Sequence, residues 1–164
     1  MKKGHSEEYF SEDRDFWWNR DYLELMARRL RLNECGTLLD IGCGQCHWSR
    51  LLAPYLRKPA VLHALDADPK WAAGSDGVRR AFDRLGVTVA FKQGDAQVLP
   101  YPDSSFDLVT CQTLLIHLPD PQAAVREMFR VVKPGGLVLC VEPNNLAGAL
   151  VKANHSAADP IEDR

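Results

Sequence analysis

The stretch Leu38-Leu39-Asp40-Ile41-Gly42-Cys43-Gly44-Gln45-Cys46-His47 carries a short apolar run into a turn with two glycines, and the turn straight into a helix. The helix is marked by Trp48, Leu51, Leu52, Tyr55 and Leu56, apolar at i, i+3, i+4, i+7 and i+8. A strand that passes to a helix through such a turn is half of a βαβ unit, and chains built from these units fold as parallel sheets with helices on their faces. The alternation repeats downstream. Strands are predicted at 38–41, 61–65, 87–91, 106–110 and 137–141. Before the first, Leu23, Met26 and Leu30 make a helical stripe over 20–31, with Asn19 as N-cap and Gly36 just past the end. Asp68-Pro69 and Asp120-Pro121 each place a capping carboxylate ahead of a proline suited to the first helical position. The first pair is expected to open a helix running toward Leu85, weakened at Gly74 and Gly77. The second opens one carrying Val125, Met128, Phe129 and Val132, ended by Pro134-Gly135-Gly136.

The architecture expected is therefore α/β, a doubly wound, mostly parallel Rossmann-like sheet with about five strands visible. At 164 residues the chain suits one core. A net charge of −2 supplies no basic field for phosphate backbones, so nucleic acid is not an expected partner. The longest apolar run, 137–141, is far short of the roughly 20 residues of a membrane span. Residues 1–15 are charged, without the apolar stretch of an export signal, and a cytoplasmic location is expected. There the odd set of five cysteines would be thiols, most of them acting as small apolar side chains.

Glycine in a strand-to-helix turn lets backbone approach a ligand closely, and the N–H groups opening the helix attract a carboxylate or phosphate. A plain turn uses glycine equally well, so the turn alone leaves both readings open. Asp66 ends the second strand, 22 positions after Gly44, where an open α/β sheet places an acid that accepts both hydroxyls of a ribose. Asp68 already fills the competing role of helix cap. Asp95, in Gly94-Asp95-Ala96 after the third strand, is suited to the exocyclic amine of a purine, or is a surface-turn aspartate.

The order LLDIGCG, LDADP, QGDAQVLPYPDSSFDLVTC and LIHLPDPQAAVREMFRVVKPGGLVLCVEPN resembles class I S-adenosylmethionine-dependent methyltransferases of the type 11 group, over about residues 36 to 144. The resemblance implies S-adenosyl-L-methionine as cofactor. Asp40, Gly42 and Gly44 would form the turn around its methionine moiety, Asp66 with Ala67 would take the ribose, Asp95 with Ala96 the adenine, and Cys111 and Gln112 would line the site after the fourth strand. Cys46 departs from the pattern, which commonly has a third glycine there. The implied division is 1–35, an N-terminal aromatic segment and helix that could act as a lid; 36–144, the cofactor-binding domain; and 145–164, a C-terminal helix and loose tail.

Other readings compete. Cys43-Gly44-Gln45-Cys46-His47 matches C-x-x-C-H, the attachment pattern of c-type haem, and contains the C-x-x-C of thiol redox sites. Haem attachment belongs to exported compartments, and neither reading explains the spaced acids. A nicotinamide-binding domain would use Asp66 but needs glycine where His47 stands and leaves Asp95 without a role. A non-catalytic binding domain is the remaining alternative. Cys43, Cys46 and His47 lack a fourth ligand at zinc spacing, so no metal is expected. His117, just beyond the fourth strand, is the candidate base for an acceptor that must lose a proton, or else a structural loop histidine. Phe16, Trp17, Trp18 and Tyr22 could cover the cofactor, but packing onto the sheet is favoured. A small-molecule methyl acceptor is expected. The family closes its sheet with a sixth and seventh strand. After Val141, residues 144–152 could form a helix but 153–164 offer no strand, so the fold is expected to be incomplete, its edge covered by missing chain or by an oligomeric partner.

Overall fold

Each of the five apolar runs pairs as a strand in the computed structural model, which describes residues 18–74 and 76–143. Strands β1 (Thr37–Ile41), β2 (Ala60–Asp66), β3 (Val87–Gln93), β4 (Phe106–Gln112) and β5 (Val132–Val141) form one sheet in the order β3-β2-β1-β4-β5. Every neighbouring pair is parallel. The chain winds outward in one direction from β1 to β3 and in the other from β4 to β5. The strand order reverses between β1 and β4, and in sheets of this kind the crevice at the carboxyl ends beside such a reversal is where ligands bind.

Local chemistry sets the helix starts as anticipated. Asn19 Oδ1 accepts from the N–H groups of Asp21 and Tyr22 at the head of α1 (Arg20–Arg29). Asp68 Oδ1 accepts from Lys70 N–H at α3 (Pro69–Ala72), and Asp120 Oδ1 from Ala123 N–H at α5 (Pro121–Val131). The helix anticipated over 68–85 is split into α3 and α4 (Asp76–Asp83). Gly74 takes φ +66°, and a Cβ on it would stand 2.3 Å from the Phe91 ring, so β3 packs where only glycine fits. Helix α2 (His47–Leu52) is shorter than its stripe because Ala53–Tyr55, which includes Pro54, tightens into a 3-10 turn.

The buried stripe of α5 is Ala124, Met128 and Val131, not the one led by Val125 and Phe129. Phe129 is 64% exposed. Nor do Pro134-Gly135-Gly136 form a loop after α5. The helix passes directly into β5 at Val132, and the three residues lie in a bulge: Phe106 faces Val132, but Leu108 faces Leu137. Gly135 relieves the bulge at φ +77°.

Two cores flank the sheet. Leu23 and Ala27 of α1, Trp48 and Leu52 of α2, and Phe82 of α4 cover one face, meeting Leu38, Leu62 and Leu108. On the other, α5 packs Ala124, Met128 and Val131 against Leu39, Ile41, Val109 and Cys111. Alternating strand residues thus serve both cores. At the amino ends, Asp107 ties three strands together. Its Oδ2 accepts from Gly36 and Thr37 N–H at 2.8 and 2.9 Å, and its Oδ1 from Lys133 Nζ at 2.7 Å. Among the described residues no helix is long and apolar enough to cross a membrane.

Candidate functional site

Pairing register brings the acids and glycines picked out in the sequence to one edge. Asp40 and Ile41 sit beside Thr110 and Cys111 on β4 and beside Ala64 and Leu65 on β2, while Asp66 sits beside Gln93 on β3. The turn after β1 is anchored to β2: Gly42 N–H and Cys43 N–H both donate to Leu65 O, at 2.8 and 3.1 Å. Asp40 is buried and accepts from the Ser49 hydroxyl of α2. Gly42 (φ +70°) and Gly44 (φ +48°) are both left-handed. A Cβ on Gly42 would lie 2.8 Å from Leu114 Cδ1, because the segment after β4 leans over the turn.

Asp66 joins the turn to the neighbouring strand. Its Oδ2 accepts from Gly44 N–H and its Oδ1 from Asp68 N–H, each at 2.9 Å. An ionised carboxylate has about four acceptor positions, so each oxygen keeps capacity for a further donor such as a hydroxyl. Ala67 follows it, exposed. Gly94 N–H donates to Asp66 O at 3.0 Å, which sets Asp95 next along the edge. Asp95 is exposed and closes its own turn, Oδ1 accepting from Gln97 N–H at 2.8 Å, with buried Ala96 between. Asp95 thus fills the surface-turn role at the carboxyl edge of the sheet. Cys111 is fully buried and Gln112 half-buried at the end of β4. His117 is exposed at the end of the 3-10 turn Leu115–His117, on this same side of the sheet.

Cys46, the departure from the third glycine, takes φ 58°, the left-handed backbone that explains why glycine is common there. Its side chain is wholly buried in the core that holds Trp48 and Leu52, so it does not crowd the crevice. The contact with the Cys46 thiol, then burial, pushes the Cys43 thiol far above its ordinary range. The Cys43 thiol therefore presents no reactive thiolate, and Cys46 is sealed from solvent. Among the described residues no group of three or more His, Cys, Asp and Glu could hold a metal ion.

Glu142 is a site residue that periodicity and turn signals do not single out, although it stands in the Val-Glu-Pro-Asn stretch at the end of the fifth strand. Its Oε1 accepts from the N–H groups of Leu114 and Leu115, at 2.9 and 3.0 Å, and from the Cys111 thiol at 3.7 Å. Thr113 N–H donates to Val141 O at 2.8 Å and takes φ 53°, a strained conformation for a β-branched residue. The segment covering the glycine turn is thus held from β5. Of the anticipated aromatic cluster, the described residues include Trp18, its ring 4.7 Å from that of Trp48 at α2, and Tyr22, largely exposed. This is packing for Trp18, while Phe16, Trp17 and the anticipated 144–152 helix lie outside the described residues.

A family model described as a methyltransferase domain matches residues 39–140. Demethylmenaquinone methyltransferase of Listeria welshimeri is 33% identical over 126 residues, covering 76% of this chain and 50% of the relative. The chain spans about half the length of the curated relatives it matches. Among solved structures, the YcgJ protein from Bacillus subtilis superposes with a TM-score of 0.62 at 29% identity, over 82% of this chain and 57% of that one. The [4+2]-cyclase SpnF superposes with a TM-score of 0.58 at 28% identity, over 73% of this chain and 43% of its own.

Proposed function

The chain belongs to the methyltransferase domain family, and from that premise we propose that the carboxyl-edge crevice binds S-adenosyl-L-methionine and serves methyl transfer to a small-molecule acceptor. The observation that carries this reading is the junction of Gly44 N–H with Asp66 Oδ2, which brings the glycine turn and the strand-end acid together while leaving acceptor capacity on both oxygens. The donor and acceptor set suits the cofactor. The Gly42–Gly44 turn faces the methionine end beside Asp40, Asp66 and Ala67 take the ribose, and Asp95 and Ala96 the adenine, with Cys111 and Gln112 as the wall on the β4 side.

When bound, the cofactor supplies a methyl group on a positively charged sulfur, already activated for displacement. The residues then have to orient the ligand, align the acceptor and exclude water. Glu142, by holding Leu114 and Leu115, keeps the covering segment against Gly42. His117, exposed on the same side, is the proposed base for an acceptor that must lose a proton. The name of the Listeria relative supports a small-molecule acceptor. The cofactor-binding unit is proposed to run over 36–144.

Calorimetry with S-adenosylhomocysteine tests the reading. Binding is expected, along with a rise in melting temperature, since a ligand bound only by the native state stabilises it. Asp66→Ala should weaken that binding by about tenfold or more, whereas Asp68→Ala, which removes a helix cap, should weaken it far less. Heat with NAD and none with S-adenosylhomocysteine would reverse the assignment, and equal losses in the two variants would remove the ribose role from Asp66.

A further inference from the structure

Cys111 and Cys140 face each other in register on the parallel strands β4 and β5. Both side chains point toward α5, for Cys111 belongs to the core beneath that helix and the Cys140 thiol lies 3.7 Å from Met128 Sδ. Cys111 is fully buried, but Cys140 is exposed. Four of the five cysteines thus behave as small core side chains and one does not.

We infer that Cys140 is a thiol modification site, oxidised by a peroxide and then joined to Cys111 in a disulfide across β4 and β5. Neighbouring strands lie roughly 4.8 Å apart, within the roughly 4.4–6.8 Å between Cα atoms that a disulfide requires. The two side chains stand side by side on the same face of the sheet. The neighbouring Cys111 thiol pulls the Cys140 thiol below its ordinary value, against burial and the Glu142 carboxylate, so the outer sulfur has the greater thiolate character. The Cys140 thiolate attacks one peroxide oxygen, breaking the O–O bond, releasing hydroxide and leaving a sulfenic acid. Cys111 sulfur then attacks that sulfur and displaces its hydroxyl, which leaves as water with the Cys111 thiol proton. The two thiols lose two electrons, and the peroxide is reduced to two waters. The bond also takes the Cys111 thiol from Glu142, at the end of β4 where Gln112 leads into Thr113. Cys43 and Cys46 are both buried and offer no comparable entry.

Tryptic mapping of the whole protein after mild hydrogen peroxide and thiol blocking tests the inference, because the cysteines separate into peptides 32–50, 93–126 and 131–152. Peptides 93–126 and 131–152 should run as one linked species that dithiothreitol separates, with the three thiols of 32–50 still alkylated. Cys140→Ser should abolish the linked species and leave Cys111 reduced. An earlier bond within 32–50, a link between two copies of 131–152, or Cys140 recovered as a free thiol while other cysteines oxidise would each overturn it. None of these readouts depends on cofactor binding, so failure here is distinct from failure of the proposed function.

Discussion

Replacing Asp107 by asparagine should destabilise the protein in a strongly pH-dependent way while leaving the carboxyl-edge crevice untouched. Burial alone would raise this carboxyl, but the Lys133 ammonium and the N–H groups of Gly36 and Thr37 outweigh burial and hold it at about 2, against an ordinary 3.8. At about 1.4 kcal/mol for each tenfold change in a proton equilibrium, that difference is worth about 2.5 kcal/mol. The asparagine can turn its one amide oxygen toward the two N–H groups, but its NH2 then faces Lys133, donor against donor. A carboxyl whose value is depressed on folding contributes stability that is fully present above the unfolded value and lost as pH falls through the folded one. The wild-type advantage should therefore be complete at pH 7, begin to shrink below about pH 4 and vanish near pH 2. For a chain of this size, about 2.5 kcal/mol corresponds to a melting temperature lower by roughly 5–10 °C at pH 7. Urea titrations of both proteins across this range read the difference directly, since carboxylates common to the two, such as Glu127, cancel. A melting temperature within a degree of wild type at pH 7, or a gap that persists undiminished at pH 2.5, would refute the clamp.

Two further substitutions probe the turn. Gly42→Ala combines left-handed backbone with a Cβ 2.8 Å from Leu114 Cδ1, and thermal unfolding should show a loss of about 2 kcal/mol together with weakened S-adenosylhomocysteine binding. Cys46→Gly relieves a left-handed non-glycine backbone but empties a buried site. These effects are each about 1–2 kcal/mol and opposed, so stability should change by no more than about 1 kcal/mol and cofactor affinity should be kept or improved. A large loss of affinity would show that the thiol itself is used.

Much of the fold was legible in the sequence because it is set by contacts a few residues apart. Asn19, Asp68 and Asp120 bond to N–H groups two or three positions on, so these helix starts could be read directly. Five apolar runs between turn residues were enough for a parallel sheet, and the spacing of Asp40, Asp66 and Asp95 was enough to place these acids along one edge of it. The face that α5 buries, the β5 bulge that absorbs Pro134-Gly135-Gly136 and the break at Gly74 depend on partners elsewhere in the chain, such as Phe91 above Gly74. Glu142 shows the same limit within the site. Its role as acceptor for Leu114 and Leu115 spans 28 and 27 positions and exists only because β5 pairs with β4. The sequence alone decided that five strands alternate with helices, where the capped helices begin, and that Asp66 would end the second strand. Only the tertiary structure decided that Cys111 and Cys140 meet while Cys43 and Cys46 are sealed in the core, since contact and burial follow from packing between elements, which periodicity along a single chain does not encode.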